Sequence, residues 1–372
     1  MPLTDIDAQR LGDSVADKLS NRNLIINGGM TVAQRSTQVT GVTSDGYRTV
    51  DRFKIQLNSL GTWTVDQSTD SPDGFANSLK VTCTTPSASP GASSYSYLMH
   101  RIEAQNLQHL SFGSAAAQDT VVSFYVKSNK TGNASFNVIQ PDASFKLIPF
   151  QYSISAANTW ELKSFVIPGD ASGTINDDNG HGMQLEWWFN SGSNWTGGTH
   201  GTTWTANTST NRNASNLGVG GATSDNFAIA GVQLEVGNTA TPFEQRSFGD
   251  ELLRCQRYCH KYSGDNSGSS QYSRFPIGAN GNSNEHTCGL PHPVPMRSCT
   301  KAVSASVASV SVYSPGSNIN ASSPTFSINA DAQSFDVGYI VIGGFTGLTG
   351  DIVAAARVNN DSDFYIIFDA EL

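Results

Sequence analysis

The chain has 372 residues, a formal net charge of −9, and only 14% charged against 38% hydrophobic residues. That length exceeds one small domain, and the acidic balance excludes nucleic acid as the main partner, because a phosphate-binding surface needs a basic face. No run of about 18 apolar residues could span a bilayer, and no charged n-region followed by an apolar h-region opens the chain, so a soluble protein made in a cytoplasm is expected.

Residues 1–22 read as a short helix. Thr4 and Asp7 resemble a capping pair, and Ala8, Leu11, Val15 and Leu19 trace a narrow apolar stripe. About four turns with so thin a stripe cannot hold together alone in water. The stripe therefore needs a partner: copies of the same chain, another protein, or its own domain.

From Asn23 to about Phe243 the pattern is strands and turns. Arg52–Leu57, Thr62–Val65, Leu79–Val81, Thr120–Lys127, Phe136–Ile139, Trp160–Ile167 and Met183–Phe189 are β-rich runs separated by Gly, Asn, Ser and Pro. No helix of three turns interrupts them, so a doubly wound α/β sheet is excluded and an antiparallel jelly-roll over 23–246 is expected. Trp63 and Trp160 lie in alternating strands and read as core. Next, Val232, Leu234 and Val236 alternate with Gln233 and Glu235. A Thr-Pro turn then leads into an amphipathic exit helix, predicted over 248–262, with Phe248, Leu252, Cys255 and Cys259 on its apolar side. Phe248, Leu252 and Cys255 are expected to pack on the jelly-roll.

The exit helix and the Gly/Ser-rich linker after Tyr262 make up a 247–271 connector. Strand-like alternation resumes over 272–372 (Ser304–Tyr313, Thr325–Ile328, Tyr339–Ile342, Phe364–Phe368), which implies a smaller second β-sandwich. The fold class is thus all-β. The five cysteines show no framework spacing, and Cys255 and Cys259, one helical turn apart, are badly placed for a disulfide; reduced cysteines are expected.

Several phrases together resemble structural proteins of marine tailed bacteriophages. They are Asn23-Leu24-Ile25-Ile26-Asn27-Gly28-Gly29-Met30 followed by Gln34-Arg35, then TVVSFYVKSNKTG from Thr120, and Trp160–Asp170. DNGHGMQLEWWF from Asp178, the stretch 231–262, LPHPVPMR from Leu290 and the final Asp369–Leu372 complete the set. The module in that family is similar to the carbohydrate-binding jelly-rolls attached to polysaccharide-degrading enzymes. The resemblance implies a virion structural protein, a tail fibre or similar appendage that touches the host surface. The alternative is a capsid decoration or head fibre docked by its N-terminal helix on other virion proteins. With the stripe Ala8, Leu11, Val15 and Leu19, it also implies a homo-oligomer, with a trimer expected, although so short a stripe does not itself choose between two and three strands.

A glycan site needs a ring for sugar faces beside amides or carboxylates. Strand alternation puts Met183, Leu185, Trp187 and Phe189 on the core side and Gln184, Glu186 and Trp188 on the other. Trp188 with Glu186 and Gln184 is the candidate platform for host polysaccharide, against cover by loops or a neighbouring subunit. Trp195 and Trp204, in a Gly/Thr/Asn loop, are further candidates, against rings that pin that loop to its domain. Asp177 and Asp178 could hold a structural calcium, although an Asx turn explains the same residues. Cys255, Cys259, His260, His286, Cys288, His292 and Cys299 match no zinc spacing, and no other cofactor is expected. No nucleophile elbow, H-E-x-x-H or P-loop occurs, so no enzyme activity is expected; a glycan-degrading enzyme is the remaining alternative.

Overall fold

A computed structural model describes residues 21–263, 275–314, 317–328, 334–358 and 364–372. The expected N-terminal helix, with Ala8, Leu11, Val15 and Leu19, lies outside the described residues, as does the linker after Ser263. The chain forms two compact units, one ending at Glu251 and the other spanning Leu252–Glu371. Both are all-β, built from antiparallel sheets, as the alternation and turn chemistry imply. No described helix is long and apolar enough to cross a membrane.

The first unit holds β1 (Gln38–Val42), β2 (Gly46–Tyr47), β3 (Phe53–Asn58), β4 (Thr62–Ser68), β5 (Ser78–Thr85), β6 (Tyr95–Glu103), β7 (Thr120–Ser128), β8 (Gly132–Gln140), β9 (Lys146–Ile154), β10 (Glu161–Ile167), β11 (His181–Ser191) and β12 (Asn226–Val236). Two six-stranded sheets, β1-β4-β5-β12-β7-β10 and β2-β3-β6-β11-β8-β9, enclose one core. Inward residues come from every second position of the facing strands, and Trp63, Phe53, Phe124, Phe136, Trp187 and Phe189 are its largest buried rings. Each such ring contributes about 3–5 kcal/mol relative to alanine.

Trp160 is not in this core. It precedes the edge strand β10 in the outward register shared with exposed Leu162 and Val166, while Phe165 and Ile167 point inward. Its indole N–H donates to Asp70 at 3.4 Å, and the Lys127 ammonium lies 5.7 Å from its ring. An edge strand has one face and one side open, so alternation alone did not decide which ring was buried.

The two ends of the sandwich close on each other. Leu24 N–H donates to Leu234 C=O at 2.8 Å, Leu234 N–H to Asn23 Oδ1 at 3.1 Å, and Val232 N–H to Gly28 C=O at 3.0 Å. Asn27 N–H donates to Glu251 Oε1 at 2.5 Å and Asn23 N–H to Glu244 Oε2 at 2.9 Å. The approach is close enough that a Cβ on Gly28 would lie 2.0 Å from Val232 O, so only glycine fits there.

The exit helix is shorter than the sequence period implies. Helix α1 covers Phe248–Gln256, and Cys259–Ser263 is strand β13. Ser247 caps α1, accepting from Asp250 N–H at 3.2 Å. Phe248, in the first turn, is 60% exposed and does not pack as expected; Leu252 is half-buried and Cys255 buried. Pairing explains the early end: β13 runs beside β22 from Cys259↔Asp369 to Ser263↔Tyr365, and this ladder outweighs a helical i, i+4 pattern that ends at Cys259. The expected 247–271 connector is therefore divided, with β13 belonging to the second unit's sheet.

The second unit continues with β14 (Gly278–Asn280), β15 (His286–Pro291), β16 (Ala302–Ser306), β17 (Val310–Ser314), β18 (Ser317–Ala321), β19 (Thr325–Ile328), β20 (Val337–Gly343), β21 (Val353–Val358) and β22 (Tyr365–Asp369). A three-stranded sheet, β13-β22-β16, and a seven-stranded sheet, β18-β17-β21-β14-β15-β20-β19, share a core that includes Leu290, Val312, Ile340, Ile342, Ile366 and Phe368.

Candidate functional site

Strand β11 lies between β6 and β8 at the middle of its sheet, so side chains on its outer face are flanked on both sides. Met183, Leu185, Trp187 and Phe189 enter the core as their alternation implies. Gln184, Glu186 and Trp188 point to the opposite face, and all three are buried. Of the two readings, an open platform or a face covered by loops, the second holds: the segment 192–216 folds across the face and roofs it. Gly201 N–H donates to Pro149 C=O at 2.9 Å, and Leu147 and Thr205 exchange two backbone bonds at 2.9 and 3.0 Å. Ser215 N–H donates to Ser135 Oγ at 3.1 Å, and Asn137 Nδ2 to Arg212 C=O at 2.8 Å.

Under the roof Glu186 is saturated with donors. Trp188 Nε1 reaches its Oε2 at 2.7 Å, Asn137 Nδ2 and Arg212 Nε reach the same oxygen at 3.2 Å, and Gln184 Nε2 and Arg212 Nη2 bond Oε1. A buried carboxylate is tolerated only when paired and hydrogen-bonded in this way. The Arg212 guanidinium is ringed by aromatics, 5.5, 5.1 and 5.3 Å from the centroids of Tyr97, Trp188 and Trp195. Tyr97 and Trp188 stack at 4.3 Å with 14° between planes. Burial by itself would favour loss of the Arg212 proton, but the Glu186 carboxylate and Tyr97 more than offset this and hold the guanidinium charged. Burial, then the nearby Glu186 charge, pushes the Tyr97 phenol far above its ordinary value.

Chemically, this is an ion-paired lock. The carboxylate has no free lone pair aimed at an open space, and the ring faces that would stack on a sugar hold Arg212 instead. Trp195, half-buried, covers Trp188 at 5.5 Å and donates to Ser93 C=O at 3.3 Å. Trp204, also half-buried, donates to Pro168 C=O at 2.7 Å and meets Phe112 edge-on at 6.1 Å. Both rings pin the roof to the domain. The sequence brings Gln184, Glu186, Trp188 and Trp195 into one cluster and leaves Trp204 apart. Arg212, Tyr97 and Asn137 were missed. The available signal was Glu186 itself, since a carboxylate on a central strand demands a cation, and Arg212 stands in an otherwise uncharged loop.

Asp177 and Asp178 are exposed, and Asp178 Oδ1 accepts Gly180 N–H at 2.8 Å, an Asx turn. Among the described residues no three His, Cys, Asp or Glu side chains gather as metal ligands. His260 and His292 meet through their Nδ1 atoms at 2.9 Å, and among the described residues no third His, Cys, Asp or Glu joins them as a metal-ligand group.

No family model matches this sequence, and no curated protein matches it. Among solved structures, the enzymatically active domain of bacteriophage CBA120 tailspike protein 4 aligns at 11% identity and TM-score 0.31, covering 58% of this chain and 22% of that one. This chain thus spans about a fifth of the tailspike domain's length. A family 61 carbohydrate-binding module, TmCBM61, in complex with β-1,4-galactotriose aligns at 9% identity and TM-score 0.29, covering 58% of this chain and 99% of that one. The C-terminal family 22 carbohydrate-binding module of Clostridium thermocellum Xyn10B gives 10% identity, TM-score 0.30, and coverage of 60% and 99%. At scores of this size the architecture rests on the sheets described above.

Proposed function

We propose that the chain is a structural component of a tailed-phage particle, a tail fibre or similar appendage that presents its β-units to the host surface and catalyses no reaction there. The observation that supports this reading is the closure of the first unit. The opening phrase Asn23–Met30 and the closing stretch 231–262, the two ends that carry the resemblance to phage structural proteins, bond directly to each other through Asn23, Asn27, Gly28, Glu244 and Glu251. They are the ends of one self-contained module, the kind of unit that can be strung into an appendage. The filled face of β11, whose rings pack on Arg212, supports a scaffolding role for this unit.

Several copies per particle follow from this role. Locating the density of this chain in an image reconstruction of the particle tests the proposal. Density at the tail or its appendages is the expected result; density on the capsid exterior, or a purified chain that depolymerises host polysaccharide, would overturn it.

A further inference from the structure

The seven-stranded sheet of the second unit has one face in the core and one in solvent, and the solvent face is not polar. Ile277 is 73% exposed, Val353 72%, Tyr313 64% and Tyr339 37%. Their positions follow from the register. Tyr313 on β17 lies opposite Ala355 on β21, and Tyr339 on β20 lies opposite Gly289 on β15. Val353 is opposite Ala279, Ala279 opposite Thr287, and Thr287 opposite Val341, which makes one row across four strands. Two residues along each strand, on the same face, is a second row: Ala355, Ile277 and Gly289, with Tyr313 at one end and Tyr339 at the other. In that row Tyr313, Ile277 and Tyr339 stand two strands apart each time, about 10 Å at the usual interstrand spacing.

What separates them is small. Ala355 and Gly289 leave shallow ground between the large side chains, and the Tyr339 ring leans over Gly289, where an added Cβ would come within 3.1 Å of it. Neither row holds a charge; Arg357 lies beyond one side, and Asp351 and Glu285 beyond the other. Exposed Asn318, opposite Tyr313, and half-buried Thr287 supply amide and hydroxyl groups.

We propose that this face binds a neutral polysaccharide, laid across the strands with sugar faces on Tyr313 and Tyr339. A patch of this kind on a soluble unit marks a contact surface. Its neutrality suits uncharged pyranose rings, whose C–H faces stack on aromatics and whose hydroxyls need amides at the rim. Rungs two strands apart correspond to about two pyranose units of an extended chain. This deepens the appendage reading, on which it rests for its biological setting, by naming the contacting surface, and it is tested on the purified chain and not on the particle.

The test is native affinity electrophoresis of the full chain in gels containing hydroxyethyl cellulose, laminarin, galactomannan or, as an acidic counterpart, alginate. Retardation by at least one neutral polymer is expected. Tyr313→Ala and Tyr339→Ala should each weaken it about tenfold, as loss of one stacked ring implies, while Leu162→Ala, on the first unit, leaves it unchanged. Thermal melts confirm that the variants are folded. The proposal fails if no neutral polymer retards the chain, if alginate retards it more strongly, or if the double tyrosine variant binds as the native chain does. It also fails if the native chain self-associates in sedimentation and the double variant does not, because the face is then an interface between copies.

Discussion

Burial holds each of the seven histidines below its ordinary pKa, His260 to about 4 and His181 and His292 to about 3. In the unfolded chain they bind protons as pH falls through about 6.5. The folded chain refuses them until far lower, so stability is complete above that pH and drains away as pH falls toward 4. His260 alone should cost on the order of 2 kcal/mol by pH 5. Urea denaturation at pH 7.5 and 5.0 measures the loss, and His260→Gln should flatten the slope of the second unit's transition; an unchanged slope would count against it. The other residue-scale dependence is the Arg212–Glu186 pair. Arg212→Ala leaves a buried carboxylate unpaired and should cost about 3–5 kcal/mol. Glu186→Gln with Arg212→Met should recover much of that, read by tryptophan fluorescence in urea.

At the level of elements, closure of the first unit depends on strand β12 approaching the opening phrase without a side chain between them. Gly28→Ala should destabilise the unit by several kcal/mol, because backbone must move to clear Val232 O. Phe248→Ala should change it by less than about 0.5 kcal/mol, since that ring stands in solvent. Thermal melts of the two variants give the contrast. The sheets were legible in the sequence because alternation along β4 and β11 reports directly which face is buried. The roof over β11 was not. Whether Trp188 is bare or covered depends on where 25 loop residues without periodicity come to rest, and Arg212 carries no local sign of its partner. The end of α1 was misread for a related reason: Cys255 and Cys259 fit a helix turn, and only the distant strand β22 makes Cys259–Ser263 extended.

For the whole molecule, the stripe Ala8, Leu11, Val15 and Leu19 leads to a prediction about assembly. Light scattering of the full chain should give an oligomer, a trimer on the appendage reading, and deletion of residues 1–20 should give a monomer with both units folded. A full chain that is already monomeric shifts the role of the stripe to docking on another protein. The two units should answer acid separately, since each contains its own desolvated histidines: buried His100 and half-buried His181 in the first, buried His260 and His292 in the second.

The bond between Asn27 and Glu251 joins residues 224 positions apart. A ribosome adding about 5–20 residues per second releases the opening phrase roughly 10–45 s before its partner is made. Throughout that interval the first sheet's strands emerge without the strand that completes them, and the apolar side of Asn23–Met30 waits in the crowded cell. Nascent chains cut off after residue 240 should therefore remain protease-sensitive, and chains that extend past the clamp should resist. Synthesis of this protein thus carries a vulnerable period set by its own topology, during which chaperones that bind nascent chains are the natural cover.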